Sequence, residues 1–152
     1  MNHGYSTEIT GCFKNITFCI NPDDWSIVFP GHKVTASGGV PGLLTREAPP
    51  DGATTATYVF TATEPGTYLY RSGTRPDLQV EMGLVGAIIV RPSLGPLYAY
   101  NHLDTEFGHE YLYIITEMDP SIHRQVEMGQ WAIIDTTSYF ATNWFVNGRN
   151  FP

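Results

Sequence analysis

The stretch PGTYLYRSGTRPDLQVEMGLVGAIIVRP, Pro65 to Pro92, decides the fold. Glu64-Pro65-Gly66 places proline and glycine where a type II turn needs a fixed negative φ and then a positive one. That spacing predicts a hairpin joining the preceding strand to TYLYR. LVGAIIV, Leu84 to Val90, is apolar on both faces, the pattern of a central strand covered on each side. Arg91-Pro92 ends it, because proline brings no N–H to a ladder.

Upstream, TTATYVFTA (Thr54 to Ala62) alternates: Ala56, Tyr58, Phe60 and Ala62 share one face, and Thr57, Val59 and Thr61 the other. WSIVF, Trp25 to Phe29, is rich in β-branched and aromatic side chains and is stopped by Pro30-Gly31. Between these strands Pro30-Gly31, Gly38-Gly39, Pro41-Gly42 and Pro49-Pro50 leave room only for short extended pieces. A further strand is expected around Phe13 to Ile20.

Downstream, residues 93–108 have no periodicity and read as an interdomain connection. EYLYIIT, Glu110 to Thr116, is expected to be a strand. DPSIHRQVEMGQ carries helix punctuation: Asp119 as N-cap, Pro120 at the first helical position, Ile122 and Val126 on one face, and Gly129 as terminator. WAII and YFATNWFV read as extended segments. Asn147-Gly148 suits a two-residue hairpin turn whose central residues take positive φ, and it promises a returning strand. The sequence is expected to stop inside a second domain at Pro152. QVEMG occurs at Gln79 to Gly83 and again at Gln125 to Gly129, but the flanking patterns differ and the repeat reads as coincidence.

At 152 residues the chain has room for one domain, or for one domain and part of a second, but not for two complete sandwiches. Its 8 Lys and Arg against 15 Asp and Glu give a formal charge of -7, which repels nucleic-acid phosphates and anionic lipid surfaces. The profile, 13% aromatic and only 15% charged with abundant Gly and Pro, suits an all-β domain with many turns. No apolar run is long enough for a membrane span, and no export signal stands at the start. Cys12 and Cys19 lie an odd number of positions apart. On one strand they would face opposite ways, whereas a turn near Asn15 would allow a bridge; two free thiols are expected.

The Pro-Gly-Thr-Tyr strand, the Gly83-Leu84-Val85-Gly86 segment, EYLYIITEMDP (Glu110 to Pro120) and FVNGRNFP (Phe145 to Pro152) together resemble the multicopper oxidases. The match runs from the first cupredoxin domain into the opening strands of the second. The resemblance implies a cupredoxin-like Greek-key β-sandwich over residues 1–92, a connection over 93–108, and the opening portion of a second cupredoxin domain over 109–152. In that family one strand reads His-Ser-Ile-His-Trp-His-Gly and another Tyr-His-Ser-His, and their imidazoles hold copper. A strand's period of two lets residues i and i+2 reach the same metal cluster, and neutral imidazole suits copper. Here WSIVFPG puts Val28 and Pro30 in the first pair of ligand positions, and Arg71 and Gly73 occupy the second pair. Valine, proline and glycine offer no donor atom, and guanidinium stays protonated. No metal ligand and no catalytic residue is therefore assigned to this chain, although copper is the cofactor of the wider family.

The remaining polar residues have plainer readings. His3, His32, His102, His109 and His123 show no ligand spacing and are expected at the surface or hydrogen-bonded, although His32 could be proposed as a slipped ligand. Arg71, Arg75, Asp77 and Glu81 read as ion pairs among neighbours, the alternative being an anion pocket. Met82 is expected in the core, and Asn15 of the Asn-Ile-Thr sequon is expected half-buried. Ser72 has no activating partner nearby in sequence.

The expected function is that of a copper-free scaffold and packing domain, a fragment of a multicopper-oxidase-like protein partnered by the remaining cupredoxin domains or subunits. Complete relatives oxidise phenols or metal ions with reduction of dioxygen, and the resemblance implies an exported or periplasmic setting. Two alternatives are an oxidoreductase whose copper centre is completed by other domains or another subunit, and an interaction module that uses an exposed sheet edge.

Overall fold

The computed structural model describes the backbone of residues 5–11 and the chain from residue 23 to 150. The expectations for His3, Cys12, Asn15, Cys19 and the Phe13 to Ile20 strand lie outside the described residues.

Two three-stranded sheets face each other. In the first, β6 (Ala56–Ala62) lies between β1 (Tyr5–Gly11) and β3 (Val34–Gly38). In the second, β7 (Gly66–Ser72) lies between β2 (Ile27–Val28) and β8 (Val85–Val90). The ladders within both sheets are antiparallel. Their inner faces form one core: Ala56, Tyr58 and Phe60 from β6 meet Trp25, Ile27, Phe29 and Leu84, with Val34, Ala36, Tyr70 and Ile88 packed at the margin. The alternation read from the sequence is the alternation that is buried. Each large side chain removed from water there contributes about 1.5–3 kcal/mol, which fixes the register because a one-residue slip would turn the whole set outward. A small ribbon of β4 (Val40–Pro41) and β5 (Arg46–Glu47) borders this core, and Trp25 and Ala48 exchange backbone hydrogen bonds of 2.9 and 2.7 Å. That exchange draws Trp25 away from β7, so only Ile27 and Val28 of WSIVF join the ladder.

Glu64-Pro65-Gly66 does not make a hairpin. Both sides of β6 are taken by β1 and β3, and both sides of β7 by β2 and β8, so neither strand has an edge to offer the other and the turn arches from one sheet across to the opposite one. The Tyr68 hydroxyl, donating to the Glu64 carbonyl at 2.9 Å, ties the arch. Likewise, among the described residues β8 is an edge strand and β7 the central one. Apolarity on both faces reports coverage above and below a strand, not how many neighbours it has alongside.

A short helix α1 (Pro76–Gln79) follows β7. Beyond residues 93–108, which are turns and one 3₁₀ turn at Leu103–Thr105, come β9 (Ile115–Met118), α2 (Pro120–Glu127), β10 (Asn143–Val146) and β11 (Arg149–Asn150). The α2 boundaries follow their punctuation. Asp119 accepts the Ser121 N–H at 2.8 Å, and Gly129 takes φ +73° past the end. Asn147 and Gly148 take φ 52° and 74°, the paired positive values the β10–β11 turn requires. Among the described residues, 110–114 have no ladder partner, so the strand expected at Glu110 begins only at Ile115. WAII is not extended either: Trp131–Ile133 is a 3₁₀ turn, with the Ile133 N–H donating to the Gln130 carbonyl. The two QVEMG copies differ in structure: the first ends α1 and the second runs out of α2.

Candidate functional site

The β2–β7 register sets Val28 opposite Arg71, and Val85 of β8 stands on the other side of Arg71. Directly paired residues share a face. Ile27 and Tyr70 point into the core, so Val28 and Arg71 lie on the outer face of this sheet, and exposed Pro30 follows two positions beyond Val28. Gly73, diagonal to Val28, is buried and donates its N–H to the Ser26 carbonyl at 3.2 Å. A β-carbon built on Gly73 would stand 2.7 Å from Val28 Cγ1 and 2.9 Å from Ser26 Oγ. The valine side chain fills the space a residue at 73 would need. Arg71 is half-buried, and its guanidinium donates to the Ser72 carbonyl at 3.0 Å. None of these four side chains brings a lone pair toward a metal, so they do not fit a copper ion.

Two strings of hydrogen-bonded polar groups border these positions. Thr74 donates its one hydroxyl proton to Glu47 Oε1 at 3.1 Å, so at the 2.8 Å contact between Ser26 and Thr74 it is Ser26 that donates. Ser72, fully buried, donates to Gln79 Oε1 at 2.7 Å, and Gln79 Nε2 donates to the Asp24 carbonyl at 3.0 Å. These groups hold one another and stabilise the sheet end; Ser72 is held, not activated. Sequence reasoning passed over Ser26, Glu47 and Gln79, because residues far apart along the chain carry no local mark of meeting.

The charged residues after Arg71 do not pair with each other, contrary to expectation. Arg75 donates to Asp23 at 3.0 Å and to the Trp131 carbonyl at 3.2 Å, and Asp77 accepts from Thr136 at 2.9 Å. Glu81 accepts the Asp119 N–H at 2.7 Å and the Tyr139 hydroxyl at 2.9 Å, and lies 3.2 Å from His123 Nε2. Burial, and then the bond to Glu81, push the Tyr139 phenol well above its usual range. The cluster thus clamps α1 to the segment around α2, over a second core of Leu78, Ile122, Val126 and Ile134 edged by Met82 and Trp131. The four charges lie close together along the chain, but the packing of the second core brings Arg75, Asp77 and Glu81 to partners distant in sequence.

His32 stacks on Phe60, with centroids 4.7 Å apart, and against Tyr68, beside a groove of about 440 Å³ that Lys33, Thr61, Thr63 and Glu64 also line. It is the backbone N–H of Asp104 that His102 Nδ1 accepts, at 3.3 Å, while His109 is exposed. Among the described residues, no three His, Cys, Asp or Glu side chains converge as a metal site would require.

Two packed antiparallel sheets with few helices define an all-β, cupredoxin-like protein. The chain belongs to the multicopper oxidase family, whose family model matches residues 19–94. Comparison with curated proteins and with solved structures gives no match. Among the described residues no helix is long and apolar enough to cross a membrane.

Proposed function

We propose that this chain is a copper-free cupredoxin scaffold within the multicopper oxidase family, contributing packing surface to further cupredoxin domains or subunits while electron transfer to dioxygen is carried out elsewhere. Residues 1–92 are the cupredoxin domain, 93–108 the connection and 109–152 the opening portion of a second such domain. The observation that carries the reading is the contact of Val28 with Gly73: two of the four positions matching the family's imidazoles are packed against each other, and the remaining two are a proline and a cation. The family also favours an exported or periplasmic setting.

Equilibration of the purified chain with copper, followed by gel filtration and elemental analysis, tests the reading. Copper well below one ion per chain is expected. Stoichiometric copper that survives filtration would overturn the reading.

A further inference from the structure

Where the β9–β10 ladder ends, at the Ile115–Val146 pair, a side chain continues it. The Asn147 N–H donates to the Ile114 carbonyl at 2.9 Å, Asn147 Oδ1 accepts the Ile114 N–H at 2.9 Å, and Asn147 Nδ2 donates to the Leu112 carbonyl at 2.9 Å. The carboxamide thus gives residues 112–114 one acceptor and one donor, the groups that the backbone of a neighbouring strand would offer. Asn147 stands at the first central position of the β10–β11 turn with φ 52°, a left-handed conformation that asparagine tolerates.

The same amide is chemically vulnerable. Of the seven asparagines in the sequence, only Asn147 is followed by glycine. With no β-carbon on residue 148 to crowd it, the Gly148 backbone nitrogen can attack Asn147 Cγ. A C–N bond forms, the Cγ–Nδ2 bond breaks, and the Gly148 amide proton departs with Nδ2 as ammonia. Water then opens the resulting succinimide at either carbonyl, leaving aspartate or isoaspartate, and no oxidant or reductant is consumed. Ring closure requires the carboxamide to swing round to the Gly148 nitrogen, and a carboxamide held at both ends cannot swing without giving up both bonds. We propose that Asn147 is a deamidation site gated by its own hydrogen bonds: the amide survives while latched to residues 112–114, is lost when the latch opens, and its loss keeps the latch open. A carboxylate has no proton to donate to the Leu112 carbonyl and sets a negative charge against it, and isoaspartate also lengthens the backbone of the turn by a methylene.

Peptide mapping by mass spectrometry, on the chain incubated at neutral pH in buffer and in urea, follows the conversion. It is expected at Asn147 in both, and roughly tenfold or more slower in buffer, where it waits on local opening. Ile114→Pro removes the N–H that Oδ1 accepts and should bring the rate in buffer toward that in urea, with circular dichroism confirming strand content. Asn147→Gly keeps a residue suited to positive φ while removing both side-chain bonds. In that variant, and in the purified deamidated chain, exchange of the Ile114 amide hydrogen should quicken by roughly tenfold while exchange in β6 is unchanged. Equal rates in buffer and urea, a rate in buffer that a folded Ile114→Pro leaves unmoved, or Ile114 exchange indifferent to loss of the carboxamide would each overturn the inference.

Discussion

Val28 Cγ1 occupies the volume above Gly73, 2.7 Å from where a β-carbon on that glycine would stand. In a strand, valine has little χ1 freedom with which to give way. Restoring one imidazole at position 73 therefore cannot be a local change, since the valine would have to leave first.

Gly73→Ala is accordingly expected to destabilise the chain by about 1–3 kcal/mol through overpacking. Val28→Ala in the same molecule should return much of that loss, so the double variant is more stable than the two single losses sum to. Urea denaturation of the four members of the cycle measures the coupling.

The sequence makes the inner face of β6 and the Asn147-Gly148 turn legible because each is local: burial of Ala56, Tyr58 and Phe60 follows from period two, and the turn from the residues' tolerance of positive φ. The arch at Pro65 and the edge position of β8 were not legible in the same way. Which strand lies alongside which depends on competition among all strands for hydrogen-bonding edges, and a turn dipeptide says only that the chain reverses. The candidate site divides similarly. Resemblance located Val28, Pro30, Arg71 and Gly73, yet the mutual packing of Val28 and Gly73 needs the β2–β7 register, and the partners of Glu81 lie far away on the chain.

Leu78 belongs to α1 but is wholly buried among Ile122, Val126 and Ile134. Leu78→Ala should cost about 2–5 kcal/mol as transfer and cavity contributions add. The loss should appear where the side chain packs. Amide hydrogen exchange in α2 is expected to accelerate more than in β6, whereas equal acceleration would show that Leu78 supports the sandwich and not the clamp. Denaturant titration with residue-resolved exchange distinguishes these outcomes.

Asp119 supplies the pH-dependent part of the same clamp. Its carboxylate accepts the Ser121 hydroxyl and N–H and, at 2.9 Å, the Phe140 N–H, and these bonds hold its pKa below the ordinary value of 3.8. A carboxylate with a lower pKa folded than unfolded adds stability that is fully present above the unfolded value and is lost as pH falls through the folded one. Stability should therefore decline between roughly pH 5 and pH 2, and α2, which Asp119 caps, should loosen with it. Asp119→Asn can still accept from Ser121 but does not ionise, so it should be less stable near neutrality and show a shallower acid decline than the wild type. Urea midpoints measured at a series of pH values provide the check; parallel curves for the two proteins would show that other carboxylates, such as Asp51 and Asp135 with their own hydroxyl and amide donors, govern the acid limb.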